Sequence, residues 1–171
     1  MPNRILVTYA SRFGATAGVA EAIGATLVDG GAQVDVLPMD EVSSLAPYDA
    51  VVVGSAIQRS KWLPEALRFV ETHRVELAER RVATFLVCMT LTMRTDHRAH
   101  VATWMAPVRA LVTPVSEGLF AGALEIDHLD SFADRVKFRL SVWLGVWKEG
   151  DHRDWGAIRA WATEVGPLLA G

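Results

Sequence analysis

The run Ala50-Val51-Val52-Val53-Gly54 is apolar at every position. A strand with one wet face alternates apolar and polar residues. An unbroken β-branched run instead predicts a central strand covered on both faces. That demand leaves few architectures, because packing layers must lie on both sides of the sheet. Four further strands read at residues 4–10, 33–37, 81–88 and 115–124, the last ending in Ala121-Gly122-Ala123. Helical stretches separate them at residues 15–28, 63–80 and 95–111, and two more follow at 131–147 and 154–169. Asp29-Gly30-Gly31 stops the first helix, Pro64 suits a first turn, and Asp154 suits an N-cap. Residues 38–47 read as a loop with room for one helical turn. Strand and helix in alternation predict an α/β fold, a doubly wound sheet of five parallel strands with helices on both faces. A length of 171 residues fits a single domain over residues 1–171, with a helical insertion at about 125–152.

The junction between the first strand and first helix is Ser11-Arg12-Phe13-Gly14-Ala15-Thr16. A helix N-terminus presents unpaired N–H groups and a partial positive charge, which suit a phosphate. The Ser11 and Thr16 hydroxyls add donors, and Gly14 lets the backbone come close to a ligand. The turn has no Lys, which a triphosphate P-loop needs, and one Gly where a dinucleotide fingerprint needs three. A lysine-free set of hydroxyls and amides matches one monoester phosphate; an ordinary tight βα turn is the other reading.

Composition narrows the classes. With 51% hydrophobic residues and a net charge of −3, the chain is neither disordered nor a general nucleic-acid binder. No apolar run reaches the roughly 20 residues of a spanning helix. A strand beginning at residue 4 leaves no room for a signal peptide, so a cytoplasmic location is expected. Cys88 is the only cysteine, which excludes an internal disulfide and a cysteine-based zinc cluster. At the end of its strand it reads as a small buried hydrophobe. Asp96-His97 and His100 are too few for a metal site, and none is expected.

The turn at Ser11, Gly14 and Thr16 resembles the Thr/Ser-rich phosphate loop of flavodoxins, with Arg12, Phe13 and Ala15 at positions where small or hydroxyl residues are usual. That resemblance implies strand order 2-1-3-4-5, a crevice between the first and third strands, and FMN as cofactor. It assigns Ser11, Arg12, Phe13, Gly14, Ala15 and Thr16 to the phosphate. It assigns Ser55, Ala56, Ile57 and Gln58, with Met89, Thr90 and Leu91, to the flavin ring. Trp62 reads either as a stacking face or as local packing. Receiver domains share the architecture but need carboxylates where Tyr9, Ala10 and Gly54 stand. The stretch from Tyr48 to Ile57, with Phe69-Val70, Phe120-Ala121-Gly122-Ala123-Leu124 and Asp154-Trp155, is similar to the menaquinone-dependent protoporphyrinogen dehydrogenases. The Ile-Arg pair common there is interrupted as Ile57-Gln58-Arg59. This second resemblance implies an FMN oxidoreductase of heme biosynthesis, oxidising protoporphyrinogen IX and passing electrons to a quinone. The alternatives are a flavodoxin-like electron-transfer protein docking on redox partners and a cofactor-free interaction domain.

Arg12, Arg59, Lys61, Arg94 and Arg98 crowd the crevice loops of a slightly acidic chain. Arg59 and Arg94 are the candidates for an anionic substrate, against a reading as solvated loop charges. No side chain presents itself as a general base, since a flavin carries the hard chemistry. In the insertion, Phe132, Val136, Leu140, Trp143 and Trp147 fall on one helical face, with Arg135, Lys137, Arg139 and Lys148 beside them. Three readings stay open for 132–147: packing on the sheet, a homodimer contact, or peripheral contact with the inner face of a membrane.

Overall fold

The structure is a computed structural model that describes residues 3–129 and 131–171. In chain order, β1 (Arg4–Ala10) leads to α1 (Ala15–Asp29), β2 (Gln33–Pro38) and β3 (Ala50–Gln58). Next come β4 (Lys61–Trp62), α2 (Pro64–Thr72), α3 (Arg74–Ala78) and β5 (Arg81–Cys88). The short α4 (Arg98–Ala102) and α5 (Ala106–Arg109) precede β6 (Ser116–Ala121). Then β7 (Ala123–Leu124), α6 (Phe132–Trp143) and β8 (Gly150–Asp151) intervene before α7 (Trp155–Ala170).

The main sheet runs β2-β1-β3-β5-β6, all parallel. Setting β4 aside, this is the order 2-1-3-4-5 of a doubly wound α/β fold. Side chains alternate across it as the pleat requires. Leu6, Val51, Val53, Val82 and Leu86 meet α2, α3, α4 and α5 on one face. Ile5, Val7, Val52, Ala83 and Phe85 meet α1 and α7 on the other. Both layers are apolar, which explains the unbroken run in β3. Gly54 has a specific cause: a Cβ there would lie 2.0 Å from the Phe85 ring, so the glycine lets that ring cross β3.

Several boundaries differ from the sequence reading. β3 extends to Gln58 and folds back on β4, pairing Ile57 with Trp62 and Gln58 with Lys61. The stretch 63–80 divides at His73, which caps α2 and opens α3. Gly122 interrupts 115–124, and the chain leaves the main sheet there so that β7 pairs antiparallel with β8. α6 stops at Trp143 rather than 147. Gly145 takes φ 74°, its N–H bonds the Val142 carbonyl, and the Val146 N–H bonds that of Ser141, which is a Schellman ending.

Candidate functional site

The C-terminal ends of β1, β3 and β5 open on a cavity of about 410 Å³, within the range of small-molecule sites. Three loops supply its floor: Ser11, Arg12, Phe13, Ala15 and Thr16; Ala56, Ile57, Gln58, Arg59 and Ser60; and Met89 with Thr90. Val87 and Cys88 line it from β5 and Trp104 from the helical layer. The roof comes from the insertion through Asp134, Lys137, Phe138, Ser141 and Trp147.

The first loop is held from within. The Gly14 N–H donates to Ser11 Oγ at 3.0 Å, which leaves the Ser11 hydroxyl hydrogen free to point elsewhere. Gly14 adopts φ 88°, and a Cβ there would meet no protein atom within 4 Å. The need for glycine is therefore in the backbone angle, not in crowding by the protein. Thr16 is buried yet reaches the cavity. No side chain caps α1 and its first turn holds no acidic residue, so the helix itself sets no anion at its positive end. Arg12 is committed elsewhere: its guanidinium grips the Glu65 carboxylate with two hydrogen bonds, one of 3.1 Å. That hydrogen bond holds the Glu65 carboxyl below the usual range. With Arg12 neutralised, hydroxyls and backbone amides remain as donors, which fits a monoester phosphate.

The second loop is a hairpin. Arg59 and Ser60 have φ of 52° and 62°, both positive as a type I′ turn requires. Two residues with a Cβ hold a conformation that favours glycine or asparagine, at the edge of the cavity. Ser55 does not line the cavity. It is fully buried, accepts from the Leu63 N–H at 3.1 Å and donates to the Ala56 carbonyl at 2.7 Å, so it shapes the extension of β3. Trp62 is 2% exposed and packs in the core on the α2 side of the sheet, which removes it as a stacking face. Gly14 and Leu91 also lie off the cavity lining.

The five loop cations do not converge on one point. Arg12 and Arg59 line the main cavity. Arg94 and Arg98 border a neighbouring open pocket of about 360 Å³, together with Leu91 and His97. Lys61 is exposed in β4. Lys137, absent from the sequence candidates, faces the main cavity from above. Burial pushes the Cys88 thiol up to about 11, so at neutral pH it is a protonated, inert lining group. Among the described residues, no group of three or more His, Cys, Asp or Glu could hold a metal ion.

The roof was the part missed from sequence. Asp134, Lys137, Phe138 and Ser141 stand at i, i+3, i+4 and i+7, one side of a helix. That spacing was a readable signal, masked by the stronger apolar stripe opposite. Arg153 was missed as well. It follows β8, stacks over Trp155 at 4.6 Å, pairs with both Asp151 oxygens at 2.8 Å, and donates to the Ala15 carbonyl at 3.3 Å. It thereby ties the foot of the insertion to the first turn of α1.

A doubly wound sheet with its cavity at the C-terminal ends of β1, β3 and β5 has the crevice in which open α/β domains hold their ligands. A family model described as "Flavodoxin domain" matches residues 6–152, and the chain belongs to that family. Its cofactor is FMN, and the domain serves oxidation–reduction or electron transfer. An archaeal flavodoxin superposes with a TM-score of 0.57 at 18% identity, over 98% of this chain and 99% of that one. A Streptococcus pneumonia flavodoxin gives 0.60 at 15% identity, over 97% and 99%. A Leishmania major protein named protoporphyrinogen IX dehydrogenase [quinone] is 28% identical, over 96% of this chain and 75% of that protein. No helix among the described residues is long and apolar enough to cross a membrane.

Proposed function

We propose that this chain is an FMN-dependent oxidoreductase that oxidises protoporphyrinogen IX and delivers the electrons to a quinone. The observation that carries the reading is the roof. A carrier flavodoxin has to leave its flavin edge open to a partner protein, whereas here α6 and Trp147 cover the slot between the ring-binding loops. The lining suits a flat, apolar, anionic molecule: Phe13, Trp104, Phe138 and Trp147 offer apolar faces, and Arg59 and Lys137 offer cations. The similarity to the Leishmania dehydrogenase, which extends through the insertion, points the same way.

Bound FMN supplies the two-electron acceptor. In this reading Ser11, Thr16 and the first-turn amides of α1 hold its phosphate, and Ala56, Ile57, Gln58, Met89 and Thr90 hold its ring. Arg59 and Lys137 receive substrate carboxylates. The strained Arg59–Ser60 turn keeps a cation at the cavity edge where Asn-Gly would fold more easily.

The test is protoporphyrinogen oxidation with a menaquinone analogue. Arg59→Asn keeps the turn and removes the charge; it should lower kcat/KM by roughly 10- to 150-fold, the value of one charge-assisted hydrogen bond of about 1.5–3 kcal/mol. Arg94→Ala, in the neighbouring pocket, should change it far less. Turnover no faster than free FMN would end the enzyme reading in favour of a flavodoxin-like carrier that docks on redox partner proteins. Turnover insensitive to Arg59 would keep the enzyme and move the substrate.

A further inference from the structure

We propose that the outer face of α6 is a docking surface for an anionic lipid bilayer. At about 100° per residue, Phe132, Val136, Leu140 and Trp143 form one stripe along the helix. The residues that line the cavity lie on its other side. Instead of packing on the sheet, the stripe faces outward: Phe132 and Trp143 are each 80% exposed, and Val136 and Leu140 are more than half exposed. Leu144 and Val146 continue the apolar surface past the helix end. What α6 does bury is a different set, Phe138 and Val142, which with Trp147 rest on Leu124, Ile126 and Leu129.

Charge selects the occupant. Residues 131–148 carry a net charge of +3 within a chain of net −3. Arg135 and Arg139 border the stripe. The Arg135 Nε donates to the Leu129 carbonyl at 2.6 Å, which fixes the guanidinium but does not neutralise it. Arg139 meets Asp127 at 2.6 Å in a pair open to solvent on both sides. A two-fold contact between copies would bring together two faces of the same net positive charge. Lipid phosphates supply the opposite charge, and a Phe and a Trp at the two ends of a basic apolar stripe suit the headgroup boundary. Seated this way, α6 has the bilayer on one side and the cavity on the other. This inference stands apart from the redox reading, and its test involves no turnover.

The flavin-loaded 171-residue chain is sedimented with vesicles of phosphatidylcholine, with and without phosphatidylglycerol, at low and high salt. Binding is expected to the anionic vesicles and to weaken with salt. Phe132→Ser with Trp143→Ser should reduce partitioning by roughly ten-fold or more, with flavin content and circular dichroism unchanged. Val136→Asp, a single exposed change, should do the same and decides the matter if the double variant loses its flavin. Absence of binding at low salt overturns the proposal, as does binding equal to wild type in both variants. A concentration-dependent dimer in sedimentation velocity, broken by these same changes, would give the face to a second copy instead.

Discussion

Beneath the cavity, β1, β3 and β5 hold Leu6, Val52 and Phe85 fully enclosed between two helical layers. Above it, α6 has no fully buried residue, and its partly buried Phe138 and Val142 rest on Leu124, Ile126 and Leu129. The two regions line the same space by different means. The floor places its donors through rigid packing, so each strand end has little freedom. The roof is held by a small satellite core, two ion-paired arginines and the β7–β8 pair. A floor of this kind can position a cofactor; a roof of this kind can carry specificity and outward contacts at little cost to the fold.

The sharpest way to break that contrast is through stability. Phe85→Ala removes a ring that fills the space over Gly54 and touches Phe120 and Trp161. Urea unfolding should show a loss of about 3–5 kcal/mol. Trp143→Ala, a still larger truncation in the roof, should stay within about 0.5 kcal/mol. A loss above about 1 kcal/mol for Trp143 would mean that its ring is packed against something, and the contrast would fail.

Cofactor affinity sharpens it at a smaller scale. Thr16→Val keeps the shape of a buried floor residue and deletes its hydroxyl. If that hydroxyl meets the FMN phosphate, affinity should fall by about 1.5–3 kcal/mol, roughly 10- to 150-fold. Ser141→Ala, in the roof, deletes a hydroxyl that donates to the Lys137 carbonyl at 2.9 Å within its own helix, and flavin titration should hardly move. Equal losses at the two sites would place the phosphate elsewhere.

Sequence legibility follows the same division. The floor was readable because its signals are local: an all-apolar run for β3, small and hydroxyl residues between β1 and α1, and Asp154 as the cap that accepts from the Ala157 N–H. The β3–β4 hairpin was not, because its turn is Arg59-Ser60 and carries neither of the residues that advertise positive φ. Trp62 looked available for stacking because only the hairpin turns it into the core. For α6 the periodicity revealed an apolar stripe but not which way it points. Amphipathicity alone favours burial, and the burial here falls on Phe138 and Val142 because Leu124, Ile126 and Leu129 approach from that side. A cavity residue contributed across a long separation, such as Trp104, leaves no local trace.

Arg153 is where the two regions meet, and it sets the smallest of these effects. Asp151 belongs to the roof's β8, the Ala15 carbonyl to the floor's first helical turn, and the guanidinium joins them. Gly18 makes room for it, since a Cβ there would lie 2.5 Å from Arg153 Nη1. The hydrogen bonds from Arg153 hold the Asp151 carboxyl below its ordinary range. A carboxyl whose folded pKa is depressed binds its proton less readily in the folded state than in the unfolded one. Its stabilisation is thus complete above the unfolded value of about 3.9 and is lost as pH falls through the lower, folded value. Asp151 is 38% exposed, so solvent screens the pair and Asp151→Asn should cost no more than about 1 kcal/mol near neutrality. Urea unfolding of the flavin-free protein should show that gap between wild type and Asp151→Asn closing as the pH drops below about 4. Flavin titration at neutral pH should show a few-fold weaker affinity in the variant, because the first turn of α1 loses its outside support. A stability gap that persists unchanged into acid would assign Asp151 to packing rather than charge. Unchanged flavin affinity would mean that the floor holds its phosphate turn without help from the roof.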